Sequence, residues 1–483
     1  MANKTIASNV FWKFFERITA QLVSFIVSLI LARILSPNDY GTVAILLVFI
    51  EIANAFVAFG LGNSLIQKKD ADDLDFSSVL FFNLGLSIVL YFLIFVSAPY
   101  IAHFYSNKDL ILVIRVFSLR IILASINSVQ QAYVSKQMIF KKFFLATFFG
   151  TVISGFVGVI FAYKGFGVWA LVAQNLINNS VDTCILALTI GWRPKLVFSL
   201  ERIITLYKFG WKILVEGIAN TISGQIRNLI IGKIYTSADL GYYTKAQQFP
   251  NLIMVNINTS ISSVLFPAMS NIQDDEKNML FLMRKAIRVS SYLLFPMLFG
   301  MAAVANNMII VLLTEKWIGC VPFVYIFCFS QFMTIGMQPR HQALKAKGRS
   351  DVFMYEHMLS RIINFLILIE VYRISIMAIA LSGIIGVIIL AVIISYTSKK
   401  YTGYLYKDQF QDIRDLLIIS IIMFFPTFLI GQLLEISPLI ELFIQIAVGI
   451  FTYCTMSYYF KPEGYVYVLA HMKKIFSKEG NRL

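Results

Sequence analysis

Uninterrupted apolar runs of about 20 residues, such as Ile374–Tyr396, recur along this chain and constrain it more than any other feature. Wound as a helix, a run of that length matches the hydrocarbon thickness of a bilayer. A transmembrane barrel would instead show alternating segments of about ten residues. Backbone groups in lipid must find partners within the segment, so continuous runs cross as helices. Composition agrees. Of 483 residues, 58% are hydrophobic and 14% charged, where a soluble domain carries about 25% charged. The mean hydropathy is +0.75. Soluble enzymes, nucleic-acid modules and secreted disulfide scaffolds are excluded.

The pattern predicts an all-α polytopic membrane protein with about 14 transmembrane helices. They centre near residues 23, 53, 90, 122, 153, 178, 220, 255, 297, 327, 362, 385, 422 and 449. The helix near 122 is the least regular, because Arg115 and Arg120 lie in its first half. The first run carries Glu16 and Arg17 and lacks a small-residue cleavage site, so it does not read as a cleavable leader.

Loop charge orients the chain. With both termini in the cytoplasm and strictly alternating loops, inside segments carry 29 of the 41 lysines and arginines and outside segments seven. Arg340, Lys345, Lys347 and Arg349 count as inside, Lys245 as outside. That bias obeys the positive-inside rule and accounts for most of the +15 net charge without any ligand. The basic tail after Tyr459 reads as a membrane-surface segment.

The sequence repeats itself at an offset of 200 residues. Leu31-Ala-Arg-Ile-Leu-Ser-Pro-Asn-Asp-Tyr-Gly41 aligns with Ile231-Gly-Lys-Ile-Tyr-Thr-Ser-Ala-Asp-Leu-Gly241, matching Asp39 to Asp239 and Gly41 to Gly241. Upstream, Glu16 meets Glu216, and Trp12-Lys13 meets Trp211-Lys212 after one insertion. Six helices separate the copies, so both face the same way. This predicts a parallel duplication, with two pseudo-symmetric lobes around a central cavity.

Polar residues inside the spans are candidates for function, because placing them in hydrocarbon is costly. On the seventh span, Lys212, Glu216, Asn220, Ser223 and Arg227 fall on one helix face. Lys13, Arg17, Gln21, Ser24 and Ser28 make the matching stripe on the first. Such stripes suit the wall of a water-filled cavity, though polar contacts between helices would use the same residues. The sixth span carries Gln174, Asn178 and Asp182 at steps of four, suited either to sugars or to a neighbouring helix. Arg115, Arg120 and Arg361 are single cations suited to phosphate or to headgroups; Glu51 and Asp182 are candidates for ion coupling. The cysteines Cys184, Cys320, Cys328 and Cys454 read as small buried apolar groups, and the four histidines are too scattered for a metal site. No phosphate-binding loop or catalytic grouping is present, and no cofactor or nucleic acid is implied.

Three segments resemble bacterial polysaccharide exporters of the Wzx type, the lipopolysaccharide and teichuronic acid exporters within the multidrug/oligosaccharidyl-lipid/polysaccharide superfamily. They are Ala32-Arg-Ile-Leu-Ser-Pro-Asn-Asp-Tyr-Gly41, Leu312-Leu-Thr-Glu-Lys-Trp-Ile-Gly-Cys-Val-Pro322 and Ala343-Leu-Lys-Ala-Lys-Gly-Arg-Ser-Asp351. The resemblance implies a flippase of the bacterial inner membrane. Its substrate would be an undecaprenyl-pyrophosphate-type lipid-linked oligosaccharide, moved by alternating access, with a polysaccharide polymerase and a chain-length regulator as expected partners. It implies an N-terminal lobe over 1–200, a C-terminal lobe over 201–397, two further helices over 398–460 and a tail over 461–483. The stripe Lys13, Arg17, Lys212 and Arg227 would meet the pyrophosphate. An ion-coupled drug or metabolite antiporter of the same fold is the alternative, and would favour the acidic groups Glu16, Glu51, Asp182 and Glu216. A membrane-embedded polymerase or ligase fits less well, because no outside loop exceeds about 12 residues.

Overall fold

The computed structural model describes residues 19–58, 61–434 and 436–470. Lys13 and Arg17 lie outside them. Among the described residues the chain is helical throughout, and 11 helices are long and apolar enough to cross a membrane. Helices stand at every predicted centre. Three predicted spans are not among the 11: α1 (Thr19–Ile34) is apolar but shorter among the described residues, and α8 (Val168–Thr189) and α9 (Leu200–Ile234) are more polar. These are the helices that carry the polar stripes.

The chain divides into two compact units, Met1–Gly241 and Tyr242–Leu483. The first holds α1, α2 (Pro37–Ala58), α3 (Leu61–Gln67), α4 (Asp73–Phe104), α5 (Leu110–Phe117), α6 (Leu119–Gln137), α7 (Phe140–Tyr163), α8 and α9. The irregular helix near 122 is broken at Ser118, whose hydroxyl turns back on the Ile114 carbonyl. The break places Arg115 and Arg120 on separate helices.

The helices are arranged for lipid, with apolar residues outward and small or polar ones inward. On α4, Phe92, Leu93 and Val96 are exposed, whereas Asp75, Ser77, Ser78, Asn83 and Ser87 are buried. Ser87 bonds Ser125 of α6 at 3.2 Å. Without a hydrophobic drive between helices, close approach and hydrogen bonds hold them together.

The repeated turns are built alike. Asp39 accepts from the Ser36 amide at 2.9 Å and from its hydroxyl at 2.7 Å, while the Asp39 amide donates back to Ser36 Oγ at 3.2 Å. In the second copy Thr236 and Asp239 make the same three bonds at 3.1, 2.7 and 3.1 Å. Each is a capping box that satisfies the first amides of the following helix. The two turns also pack on each other reciprocally. A Cβ on Gly41 would strike the Ser237 carbonyl, and one on Gly241 the Pro37 carbonyl.

The second unit holds most of α10 (Ser237–Ser270), then α11 (Glu276–Ala303), α12 (Ala305–Leu313), α13 (Val321–Thr334) and α14 (Met337–Ala346). It continues through α15 (Ser350–Val371), α16 (Ile376–Thr402), α17 (Tyr406–Leu433) and α18 (Pro438–Phe460). Polar contacts again bind helices: Gln445 of α18 donates to the Thr427 carbonyl at 2.9 Å and accepts from Asn307 at 2.9 Å. The remaining motifs are structural. Trp317 is fully buried beside Tyr242, whose hydroxyl donates to the Lys316 carbonyl at 3.1 Å. In the third, Arg349 grips Asp351 at 3.0 and 2.9 Å and Tyr401 at 3.0 Å.

Two cations counted as loop residues are in fact buried. Arg340 is 2% exposed, held by Ser395 and Gln409 with its guanidinium 5.0 Å over the Tyr404 ring. Lys245 is 3% exposed within α10. Of the four cysteines, Cys320 and Cys328 are buried as expected, but Cys184 and Cys454 are exposed.

Asp412 of α17 is the electrostatic centre of the second unit. Its side chain is 1% exposed and receives Arg284 and Arg288, each at 2.6 Å, and the Tyr404 hydroxyl at 2.9 Å. Burial and the facing carboxylate push the Tyr404 phenol far above its ordinary range, so it remains a donor. Asp412→Ala leaves two guanidiniums facing each other. Both are partly solvated, so the expected loss is about 2–3 kcal/mol. It should appear as a lower unfolding midpoint of the purified protein; an unchanged midpoint would count against this role.

Candidate translocation site

The first unit gathers most of the predicted site residues. α9 is one continuous helix of 35 residues. Ile203, Leu206 and Leu214 bury one side of it. On the other side Lys212, Glu216 and Asn220 are exposed, and Ser223 and Arg227 are half-buried. The Lys212 ammonium lies 6.0 Å from the Trp211 ring. Lys212 and Arg227 are 15 residues apart, so the stripe runs about 22 Å along the helix, most of a bilayer's apolar thickness. On α1, Ser24 is exposed while Gln21 and Ser28 are half-buried.

Depth along the fold brings further charges to the level of Arg227. Gly232 of α9 faces Ile45 of α2, and the two helices run antiparallel from the packed turns. Stepping inward five residues on α9 and six on α2 reaches Arg227 and Glu51 at nearly the same depth, within about 2 Å. Glu51 pairs with Arg120 of α6 at 3.4 Å, with side chains 38% and 20% exposed. A carboxylate and two guanidiniums therefore share one level on α2, α6 and α9. The Glu51–Arg120 pair is long and partly solvated, so it is a weak lock.

Other candidates lie apart. Arg115 donates to the Phe95 carbonyl at 3.4 Å and lies 4.2 Å over the Phe95 ring, beside a cavity of about 540 Å³ at the α4–α5 end of the unit. Asp182 accepts from Asn127 at 3.0 Å, and Asn178 donates to Ser154 at 3.3 Å. The Gln174, Asn178 and Asp182 face lies along Gly158, Ser154 and Gly150 of α7, where a Cβ on either glycine would meet it at 3.0–3.3 Å. That face serves helix packing. Arg361 is half-buried on α15, in the second unit.

Sequence reasoning missed a polar cluster in the second unit. Glu356 is fully buried, accepts from the Thr397 hydroxyl and lies 3.4 Å from His341, whose ring centre is 5.0 Å from that of His357. The His-Gln and Glu-His pairs in the sequence were the available signal, obscured by their distance along the chain. Among the described residues no group of three or more His, Cys, Asp or Glu has metal-binding geometry.

The model of a family described as polysaccharide biosynthesis protein matches residues 30–322, more than half of the chain. This chain belongs to that family. The match begins before the first capping box and ends after the buried Trp317 motif, so it contains the whole α9 stripe. Relatives include the lipopolysaccharide biosynthesis protein WzxC of Escherichia coli (strain K12), 27% identical over 67% of this chain and 66% of that protein. Another is the succinoglycan biosynthesis transport protein ExoT of Rhizobium meliloti (strain 1021), 26% identical over 73% of this chain and 71% of that one. The matched stretch thus spans about two thirds of these relatives' lengths. Among solved structures, the lipid II flippase MurJ superposes with a TM-score of 0.76 at 15% identity, covering 94% of this chain and 98% of that one. At that identity the likeness establishes a shared polytopic helical fold.

Proposed function

We propose that this polysaccharide-biosynthesis family member flips a lipid-pyrophosphate-linked oligosaccharide across the bacterial inner membrane by alternating access. The family match carries the reading, and the relatives' names, polysaccharide biosynthesis and transport, support it. The α9 stripe supplies the chemistry. Pyrophosphate carries up to about three negative charges and does not enter hydrocarbon unaided. Lys212 and Arg227, with the amide of Asn220 between them, offer it charged and hydrogen-bonding groups in place of water. Both termini face the cytoplasm on the loop-charge argument. Residues 1–200 and 201–397 form the two repeat lobes, and a polymerase and a chain-length regulator act on the exported unit.

Deleting the gene tests the reading. The expected result is loss of surface polysaccharide, with lipid-linked repeat units trapped on the cytoplasmic leaflet. Unchanged polymer with altered tolerance to cationic drugs would instead establish the antiporter.

A further inference from the structure

A basic groove lies in the second unit, away from the α9 stripe. It is a cavity of about 560 Å³ between α11 and the helical stretch 463–470 that follows α18. Lys277, Arg284, Lys285 and Arg288 line it, opposed by one acidic lining residue, Glu463. Asp412 engages Arg284 and Arg288 from behind, and Arg288 also pairs with Glu463. Four cations against two carboxylates leave the groove positive. Its size falls within the range of small-ligand pockets, about 300–1,000 Å³.

The groove is built rather than incidental. Gly464 sits so close to α11 that a Cβ would meet Tyr292 at 2.7 Å and the Arg288 carbonyl at 2.9 Å. The Tyr292 and Tyr465 rings stand 6.2 Å apart, and the Lys285 ammonium lies 4.0 Å over the Tyr467 ring. The Tyr292 carbonyl in turn accepts the Tyr453 hydroxyl at 2.7 Å, tying α11 to α18. The floor and rim are apolar, with Phe281 64% and Val466 52% exposed.

We infer that this groove binds the headgroup of an anionic phospholipid. Charge complementarity selects an anion. The apolar rim selects one that brings acyl chains, because exposed Phe281 and Val466 on a membrane-crossing helix and its neighbour have lipid as their natural cover. A basic pocket beside a transmembrane helix is a known way to recognise anionic headgroups. The bound lipid would bridge α11 to the 463–470 stretch and so stabilise the second unit.

The test is thermal unfolding of the purified full chain in nanodiscs of phosphatidylcholine alone or phosphatidylcholine with phosphatidylglycerol. Phosphatidylglycerol is expected to raise the wild-type midpoint by about 5 °C. The double variant Lys277→Gln, Lys285→Gln removes two groove cations and keeps the Asp412 cluster. Measured against its own midpoint in phosphatidylcholine, it should lose most of the increment. Lys399→Gln with Lys400→Gln removes equal charge elsewhere and should keep it. An equal increment in both double variants, no increment in wild type, or loss of the increment in the Lys399/Lys400 control would each overturn the inference. So would the same stabilisation by inorganic phosphate in phosphatidylcholine discs, which would make the occupant a free anion.

Discussion

Gly41→Val should abolish accumulation of folded protein in the membrane. The Cβ it adds would lie 2.5 Å from the Ser237 carbonyl carbon, and the obstacle is backbone. A flexible side chain can rotate away from an added methyl; a peptide group at a packed turn cannot. Overpacking usually costs about 1–3 kcal/mol, and more where nothing yields. Here the cost falls on the contact between the two repeated turns, so the Ser36–Asp39 and Thr236–Asp239 capping boxes would be strained together. Gly241→Val should fail the same way, since its Cβ meets the Pro37 carbonyl carbon at 2.9 Å. Gly62→Ala is the contrast: nothing lies within 4 Å of its Cβ position. At the second residue of α3 that change should be close to neutral. Size-exclusion of fluorescently tagged protein reads all three, and a monodisperse Gly41→Val peak at wild-type height would refute the argument.

These glycines also mark how far sequence reaches. The Asp39/Asp239 and Gly41/Gly241 matches were visible as a repeat because they are polar or small residues at fixed spacing between apolar runs. Their purpose was not visible. Why an aspartate three residues after Ser36 or Thr236 recurs becomes clear only when the capping bonds are seen, and why glycine recurs only when the turns meet. Span positions were legible because bilayer thickness fixes their length. The faces of α8 and α9 looked alike in sequence, both polar at helical spacing. They differ because α7 offers Gly150, Ser154 and Gly158 to α8, a partner surface far away in the register of the text. Loop counting treated Arg340 and Lys245 as loop charges, whereas both are buried within helices, for a related reason. Charge was taken to mean solvent, but Ser395 of α16, Gln409 of α17 and Tyr404 between them enclose Arg340. Asp412 escaped notice because its partners, Arg284 and Arg288, lie more than a hundred residues earlier.

Arg227→Ala should lower polysaccharide export about tenfold while leaving the protein inserted, and Lys212→Ala should act in the same direction. One charge-assisted contact is worth about 1.5–3 kcal/mol, and a tenfold change in rate corresponds to about 1.4 kcal/mol. Arg227 should weigh more, because it is half-buried at the level of Glu51 and Arg120, where charge is less screened than at exposed Lys212. Arg227→Lys should recover part of the loss by restoring charge without the planar fork. Glu216→Gln discriminates the two transport readings. In a flippase whose stripe meets pyrophosphate, removing a negative charge between two cations leaves export intact or raises it. In an antiporter that carries its ion on a carboxylate, the same change stops transport. Surface polymer measured against immunoblotted membrane protein reads every variant on one scale. Normal output from both cation variants would remove the stripe from the translocation path, and loss of output from Glu216→Gln alone would transfer the coupling role to the acid.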